Sequence, residues 1–278
     1  MNLSFEKYHG TGNDFVIVNE NACVPHRARF ARSVCDRAEG IGADGVLFLS
    51  LEPNFRPPRV IMTLVQPDGS TAEMCGNGAR CAAVWAAKQA NADEVMIDTL
   101  AGTRHATIHD GGATIEMGAP KFDPNAVPLA GDEPLIESRV GDYDVTTVNT
   151  GVPHAVAFVD DVNDVNLERD APPIRHADVF PRGANVTFAS RFEGGFDQRT
   201  FERGVEGETQ SCGTGAVAIA AAARRLGLVD GERVSVSPPG GDLEVTVGDR
   251  TATLTGPVER EFGGDMHVSN AGRLDLEA

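Results

Sequence analysis

Two stretches of the chain set a cysteine before a glycine-spaced turn and an alanine-rich run. One is "MCGNGARCAAVWAA", with Cys75 ahead of Gly76-Asn77-Gly78. The other is "SCGTGAVAIAAAA", with Cys212 ahead of Gly213-Thr214-Gly215. At the mouth of a helix, unpaired first-turn amides and the positive end of the dipole favour thiolate over thiol. Glycine lets a ligand come close to the backbone, and the same amides form a seat for a carboxylate or phosphate. A single copy would as readily be a packed cysteine before a helix cap. Two copies in matching contexts point to function.

Two thiols facing one anion could invert a stereocentre. An α-amino acid held by its carboxylate would lose its α-proton to one cysteine as thiolate. The other cysteine, as thiol, would deliver a proton to the opposite face, without pyridoxal phosphate. The α-proton is very weakly acidic, so helix N-termini aimed at the carboxylate, in a site closed to water, must stabilise the developing charge. Two such thiols would titrate as a coupled pair.

The elements that must position them are short β-like runs around two helices. "FVIVN", "GVLFLSL", "RVIMTLVQ", "EVMIDTL", "RHATIHD" and "ATIEMG" read as strands, with a hairpin turn at Asp110-Gly111-Gly112. Residues 119–135 carry Pro120, Pro124, Pro128 and Pro134 without periodicity, which reads as a linker or domain border. Strand-like runs then restart. The helices fall near 79–92 and 213–228; both are apolar nearly all round, so each belongs at the centre of its own strands. The restart is an internal repeat: Cys75 and Cys212 lie 212 − 75 = 137 positions apart. A pseudo-twofold axis between two such domains would let the cysteines face each other across a cleft.

Composition narrows the classes. The 278 residues are 41% hydrophobic and 23% charged, enough for packed cores and unlike a disordered chain. A net charge of −17 argues against nucleic acid and anionic membranes. The N-terminus lacks the basic start and apolar stretch of a signal peptide, which makes a cytoplasmic location the expectation. Five cysteines, an odd number, stand at spacings of 12, 40, 6 and 131 that fit neither a disulfide framework nor zinc knuckles. Cys23, Cys35 and Cys81 read as packing residues.

The motifs "HGTGNDFVIVN", "GIGADGVLFL", "MCGNGARC", "NTGVPHAV", "GANVTFA" and "ERGVEGETQSCGTGA", in this order, resemble the set found in the diaminopimelate epimerase family. The double cysteine motif alone is shared with proline racemases. The resemblance implies an α+β fold of two pseudo-symmetric domains. Each is a mostly antiparallel, barrel-like sheet wrapped round a central helix, with the active site in the cleft. It sets the expected division at residues 1–118, completed by 266–278, and 119–265. It implies interconversion of LL- and meso-diaminopimelate in lysine and peptidoglycan precursor synthesis, with a small amino-acid substrate, no cofactor, no metal and a homodimer.

The resemblance also carries residue roles. Cys75 and Cys212 become the acid/base pair, assisted by His154 and Glu202. Gly76, Asn77, Gly213 and Thr214 would hold the reacting carboxylate. Asn13, Asn185, Glu202 and Arg203 would read the distal ammonium and carboxylate, arginine being suited to a bidentate contact. By residue type alone, His154 reads as a satisfied strand-end histidine and Glu202 as a salt-bridged carboxylate. Departures from the family pattern touch the distal end: Gln66 replaces an asparagine and would still bind substrate through its amide, Val152 stands where asparagine is common, and Gly45 where some members have glutamine. The readings left open are a proline or hydroxyproline racemase on the same fold and a thiol redox or metal-binding protein.

Lysine occurs only as Lys7, Lys88 and Lys121 among 24 basic residues. One reading is a GC-rich genome; the other is adaptation to high salt, which screens an acidic surface. On the second reading, thermal melting shifts upward between low and molar salt; an unmoved midpoint removes it.

Overall fold

The computed structural model describes residues 1–20, 24–269, 272 and 274–275; Cys23 lies outside them. The chain divides into two units, Met1–Ile115 with Gly256–Ala278, and Glu116–Thr255. Among the described residues no helix is long and apolar enough to cross a membrane.

In the first unit the order is β1 (Asn2–Gly10), β2 (Asn13–Asn19), α1 (Arg27–Cys35), β3 (Gly45–Glu52), β4 (Arg59–Val65), β5 (Thr71–Ala72), α2 (Gly76–Ala90), β6 (Glu94–Thr99), β7 (Gly102–His109) and β8 (Gly112–Gly118). β1 pairs antiparallel with β2, β2 parallel with β3, and β3 antiparallel with β4. β4 continues antiparallel to β5 and parallel to β6, and β6–β7–β8 form an antiparallel meander. Asp110-Gly111 closes the last hairpin, with Gly111 at φ 81°.

The second unit repeats this step by step. Its elements are β9 (Ser138–Val140), β10 (Tyr143–Asn149), β11 (Pro153–Val159), α3 (Leu167–Arg175), β12 (Asn185–Phe192), β13 (Gly195–Glu202), β14 (Gly207–Glu208), α4 (Gly213–Arg225), β15 (Arg233–Ser237), β16 (Leu243–Val247) and β17 (Ala252–Pro257). The senses from β10 to β17 run antiparallel, parallel, antiparallel, antiparallel, parallel, antiparallel, antiparallel. That is the sequence of senses from β1 to β8. The internal repeat is therefore a repeat of topology.

After β17 the chain returns to the first unit as β18 (Glu259–Val268), antiparallel to β1 from Asn2↔His267 to His9↔Glu259. This pairing brings the return to Gly256, ahead of the expected residue 266. At the first crossing, Glu116–Gly118, the end of β8, fall with the second unit. The proline-rich stretch 119–135 is not a free linker. It lies in the second unit: Lys121 bridges to Asn149, and Leu129 and Leu135 pack on that unit's core.

Each unit encloses one helix. α2 touches β1, β2, β3, β4, β6 and β7; α4 touches β10, β11, β12, β13, β15 and β16. Gly76–Ala83 and Trp85–Ala87 are buried in α2, and Gly213–Ala223 in α4. Alanine and glycine keep the helix thin enough for strands to close around it and give alanine's favourable helix propensity. α2 begins at Gly76, three residues before the expected start, because Cys75 caps it; Asn91 ends it in the left-handed region at φ 50°.

α1 and α3 were not expected. Each covers the other face of the sheet. Phe30, Ala31 and Val34 of α1 join Val16, Val18, Val46 and Phe48, while Leu167, Ala171 and Ile174 of α3 join Val145, Ala155, Val186 and Phe188. Strands covered on both faces read as continuous apolar runs, as "DFVIV" does. Both helices hide their signals: α1 starts at His26 without a side-chain cap, and α3 contains Pro172 and Pro173.

Close enclosure leaves no room for volume. Ala220→Leu, at a fully buried position of α4, should cost about 1–3 kcal/mol by overpacking, read as a lower denaturant midpoint with an unchanged slope.

Candidate active site

In the first unit the site is built around the N-terminus of α2. Cys75 is the N-cap, and its Sγ accepts the Gly78 N–H at 3.4 Å. Asn13, at the start of β2, stands opposite, with its Oδ1 3.8 Å from Cys75 Sγ. The same Oδ1 accepts from Asn77 Nδ2 at 3.2 Å. Asn13 is oriented from behind by its Nδ2, which donates to Asp44 Oδ2 at 2.7 Å. That bond fixes which end of the amide meets the thiol. Cys75 thus has a partner in each protonation state: an N–H for the thiolate and an amide oxygen for the thiol.

An ionic network secures Asp44. Arg37 spans Asp14 and Asp44, and Lys7 binds Asp14 at 2.8 Å and Glu261 at 3.4 Å. Burial acts to raise the Asp14 pKa, but hydrogen bonds and charge from Arg37 and Lys7 bring it down to about 2. Lys7 is raised: burial opposes its charge, and Asp14 and Glu261 outweigh burial.

The second unit uses neutral groups. Cys212 is buried at the N-cap of α4, with Sγ 3.5 Å from Thr214 Oγ1. Thr214 Oγ1 lies 2.9 Å from Nε2 of His154, which stands on β11, and His154 Nδ1 lies 3.1 Å from Thr187 Oγ1 on β12. Asn185 sets the tautomer. Its Oδ1 accepts the Arg203 N–H at 2.8 Å, so its Nδ2 faces His154 Nε2 at 3.3 Å. Nε2 is then an acceptor, and Nδ1 carries the proton. The chain closes into a ring: Thr200 Oγ1 donates to Thr187 Oγ1, Gln198 Nε2 donates to Thr200 Oγ1, and Gln198 Nε2 also donates to the Cys212 carbonyl at 3.0 Å. Gly215 is required by this ring, since an added Cβ would stand 2.6 Å from Gln198 Nε2 and 3.3 Å from Cys212 Sγ.

The expected residues fall into two sets. Asn13, Cys75, Gly76 and Asn77 come together in the first unit; Cys212, Gly213, Thr214, His154, Asn185 and Arg203 in the second. Glu202 ends β13 and accepts from Thr209 Oγ1 at 2.5 Å. Gln66 joins neither set by a hydrogen bond: its Oε1 accepts from Ser70 Oγ at 2.9 Å within the turn after β4. The space of a side chain at Gly45 is taken by Leu64 Cδ1, 2.7 Å from an added Cβ. Cys35 and Cys81 are buried. Sequence reasoning missed Asp44, Thr187, Gln198 and Thr200. Their signal was available: polar residues at buried positions of apolar strands, or directly before one. Among the described residues no group of three His, Cys, Asp or Glu could hold a metal ion.

The profile of the family described as diaminopimelate epimerase matches residues 5–122 and 146–261. The chain is 45% identical to the diaminopimelate epimerase of Methanocella arvoryzae, over 96% of this chain and 97% of that one. It is also 45% identical to that of Methanothrix thermoacetophila, over 92% of each. Among solved structures, it resembles a phenazine biosynthesis protein of the PhzF family from Bacillus anthracis, with TM-score 0.68 at 16% identity over 96% of this chain and 100% of that one. A hydroxyproline epimerase from Agrobacterium vitis matches with TM-score 0.66 at 16% identity, over 98% and 93%. At these identities the solved structures speak for the fold alone.

His154 titrates far from its usual range. Burial, then the Arg203 charge, pushes its pKa from 6.5 to about 3. The unfolded chain therefore binds this proton more readily, and the stabilisation present above pH 6.5 is lost as pH falls below it. Between pH 7 and pH 5 this residue should remove about 2 kcal/mol of unfolding free energy. In His154→Gln that part of the pH dependence should vanish in parallel denaturant titrations.

Proposed function

Since the chain belongs to the diaminopimelate epimerase family, we propose that this isomerase interconverts LL- and meso-2,6-diaminopimelate by a cofactor-independent two-base reaction. On this reading it serves lysine and peptidoglycan precursor synthesis. One observation carries the mechanism: each repeated unit sets one cysteine at the N-cap of its enclosed helix, with a partner for both protonation states.

One cysteine, as thiolate, takes the α-proton. The C–H electron pair is left on the α-carbon and spreads into the carboxylate, which first-turn amides at Gly76, Asn77, Gly213 and Thr214 stabilise. The other cysteine, as thiol, gives its proton to the opposite face. The two sulfurs end with their protonation states exchanged. Neutral His154 supports the second sulfur through Thr214. Its Nε2 accepts a hydrogen bond, so the Thr214 hydroxyl can turn its proton to either side as Cys212 changes state. Arg203 and Glu202 are the charged groups suited to the distal carboxylate and ammonium; Asn13 and Asn185, expected to read that same end, have their amides beside Cys75 and His154, from where they can also contact the amino acid.

In deuterium oxide, without added cofactor, LL-diaminopimelate should gain deuterium at the α-carbon as the meso isomer forms, and proline should gain none. Cys75→Ser and Cys212→Ser should each lower the rate by orders of magnitude with thermal melting unchanged. Full activity in either variant would refute the two-base mechanism.

A further inference from the structure

Arg80, on α2 five positions after Cys75, is fully buried. Its Nη2 donates to Thr11 Oγ1 at 3.2 Å, and its Nε and Nη1 have no hydrogen-bond partner among the described residues. Gly10 makes the space, since an added Cβ there would stand 3.0 Å from Nη2. A guanidinium enclosed with no carboxylate among the described residues is costly to a fold, so its presence calls for an anion in the working state.

The strands around α2 supply none, because their carboxylates are engaged elsewhere. Glu6 on β1 binds Arg260 and Trp85 Nε1, and Asp14 on β2 binds Lys7 and Arg37. Asp44, before β3, binds Arg37 and Asn13. Asp98 on β6 binds Arg59 of β4, with Glu52 of β3 beside the same arginine. Glu94 stands 3.7 Å from His105 of β7, and Arg104 of β7 donates to backbone carbonyls. Tyr8 on β1 faces Glu6, and burial pushes its hydroxyl up to about 12.

Two thiols stand near Arg80: Cys81, its neighbour on α2, and Cys75, the N-cap of the same helix, whose partner Asn13 lies two residues beyond Thr11. Cys81 is enclosed, and burial pushes its thiol up to about 12, so it carries no charge at neutral pH. Burial lowers Arg80 itself to about 10, which leaves it a cation there. Cys75 is half-buried at the helix N-cap, with Asn13 Oδ1 favouring its thiol and the Gly78 N–H its thiolate.

We propose that Arg80 is a positioning residue that decides this balance: its carboxylate-free guanidinium is the standing counter-charge of the Cys75 thiolate. The bond to Thr11 ties the charge to the turn that carries Asn13, so charge and thiol partner move together. This deepens the reading of Cys75 as one of the two bases, and its test reads the thiol directly.

The probe is iodoacetamide, with alkylation at Cys75 followed against pH by peptide mass mapping in a Cys212→Ser background. In Arg80→Met the pH midpoint of Cys75 alkylation should rise by about one to two units, the effect of removing a nearby opposite charge. Arg80→Gln, which keeps donors and removes the charge, should give the same rise, and Arg80→Lys should restore most of the original midpoint. With Cys212 intact, the acid limb of the epimerisation rate should move up in parallel. Thermal melting at a pH below the Cys75 midpoint should not fall in Arg80→Met, because the guanidinium then has no anion to face. An unmoved Cys75 midpoint in either folded neutral variant overturns the proposal. A raised midpoint in a protein that epimerises nothing would sink the reaction and leave the role of Arg80 standing.

Discussion

Everything in this protein depends on a helix thin enough to be enclosed by its own sheet. α2 and α4 are built of alanine and glycine over most of their length, and strands close on them from all sides. Enclosure removes water from the helix N-terminus. First-turn amides that would be half-screened at a surface then act at low dielectric, where an anion or a thiolate gains most from them. The small side chains that let each helix be enclosed also bury its first turn.

The two copies reach that end by different electrostatics. In the first unit an ionic network stands behind the cysteine's partner: Lys7, Asp14, Arg37 and Asp44 hold Asn13 in place. In the second, a closed ring of hydroxyls, an amide and a neutral imidazole does so. Topology is repeated while the polar interior is not. Different surroundings give the two thiols different partners: an amide oxygen and a backbone N–H at Cys75, a hydroxyl at Cys212.

What the sequence made legible follows from what local chemistry can encode. The Cys-Gly-x-Gly turns, alanine runs and repeat could be read because each is a contiguous pattern with one physical meaning. The fold class followed from the repeat and the resemblance together. α1 and α3 were missed because prolines and a missing cap weaken their local signal, and tertiary burial of Phe30 or Ile174 decides them instead. Asp44 acts by meeting Asn13, 31 residues away, and Gln198 by meeting the Cys212 carbonyl across the turn into α4. A window of sequence cannot register that partnership. Arg80 was hidden differently: it lies inside the most legible motif of all, yet its meaning comes from the carboxylate it lacks.

The pairing of β1 with β18 joins residues near opposite ends of the chain. The equivalent strand of the second unit, β10, takes its outer partner from β9, immediately before it. During vectorial synthesis β10 therefore has its outer partner as soon as it is made. β1, although made earlier, must wait for β18, with its edge open to solvent and to other chains until then. For these two strands birth order and pairing order are reversed. Chaperone dependence and misassembly in the cell should accordingly concentrate on the N-terminal half.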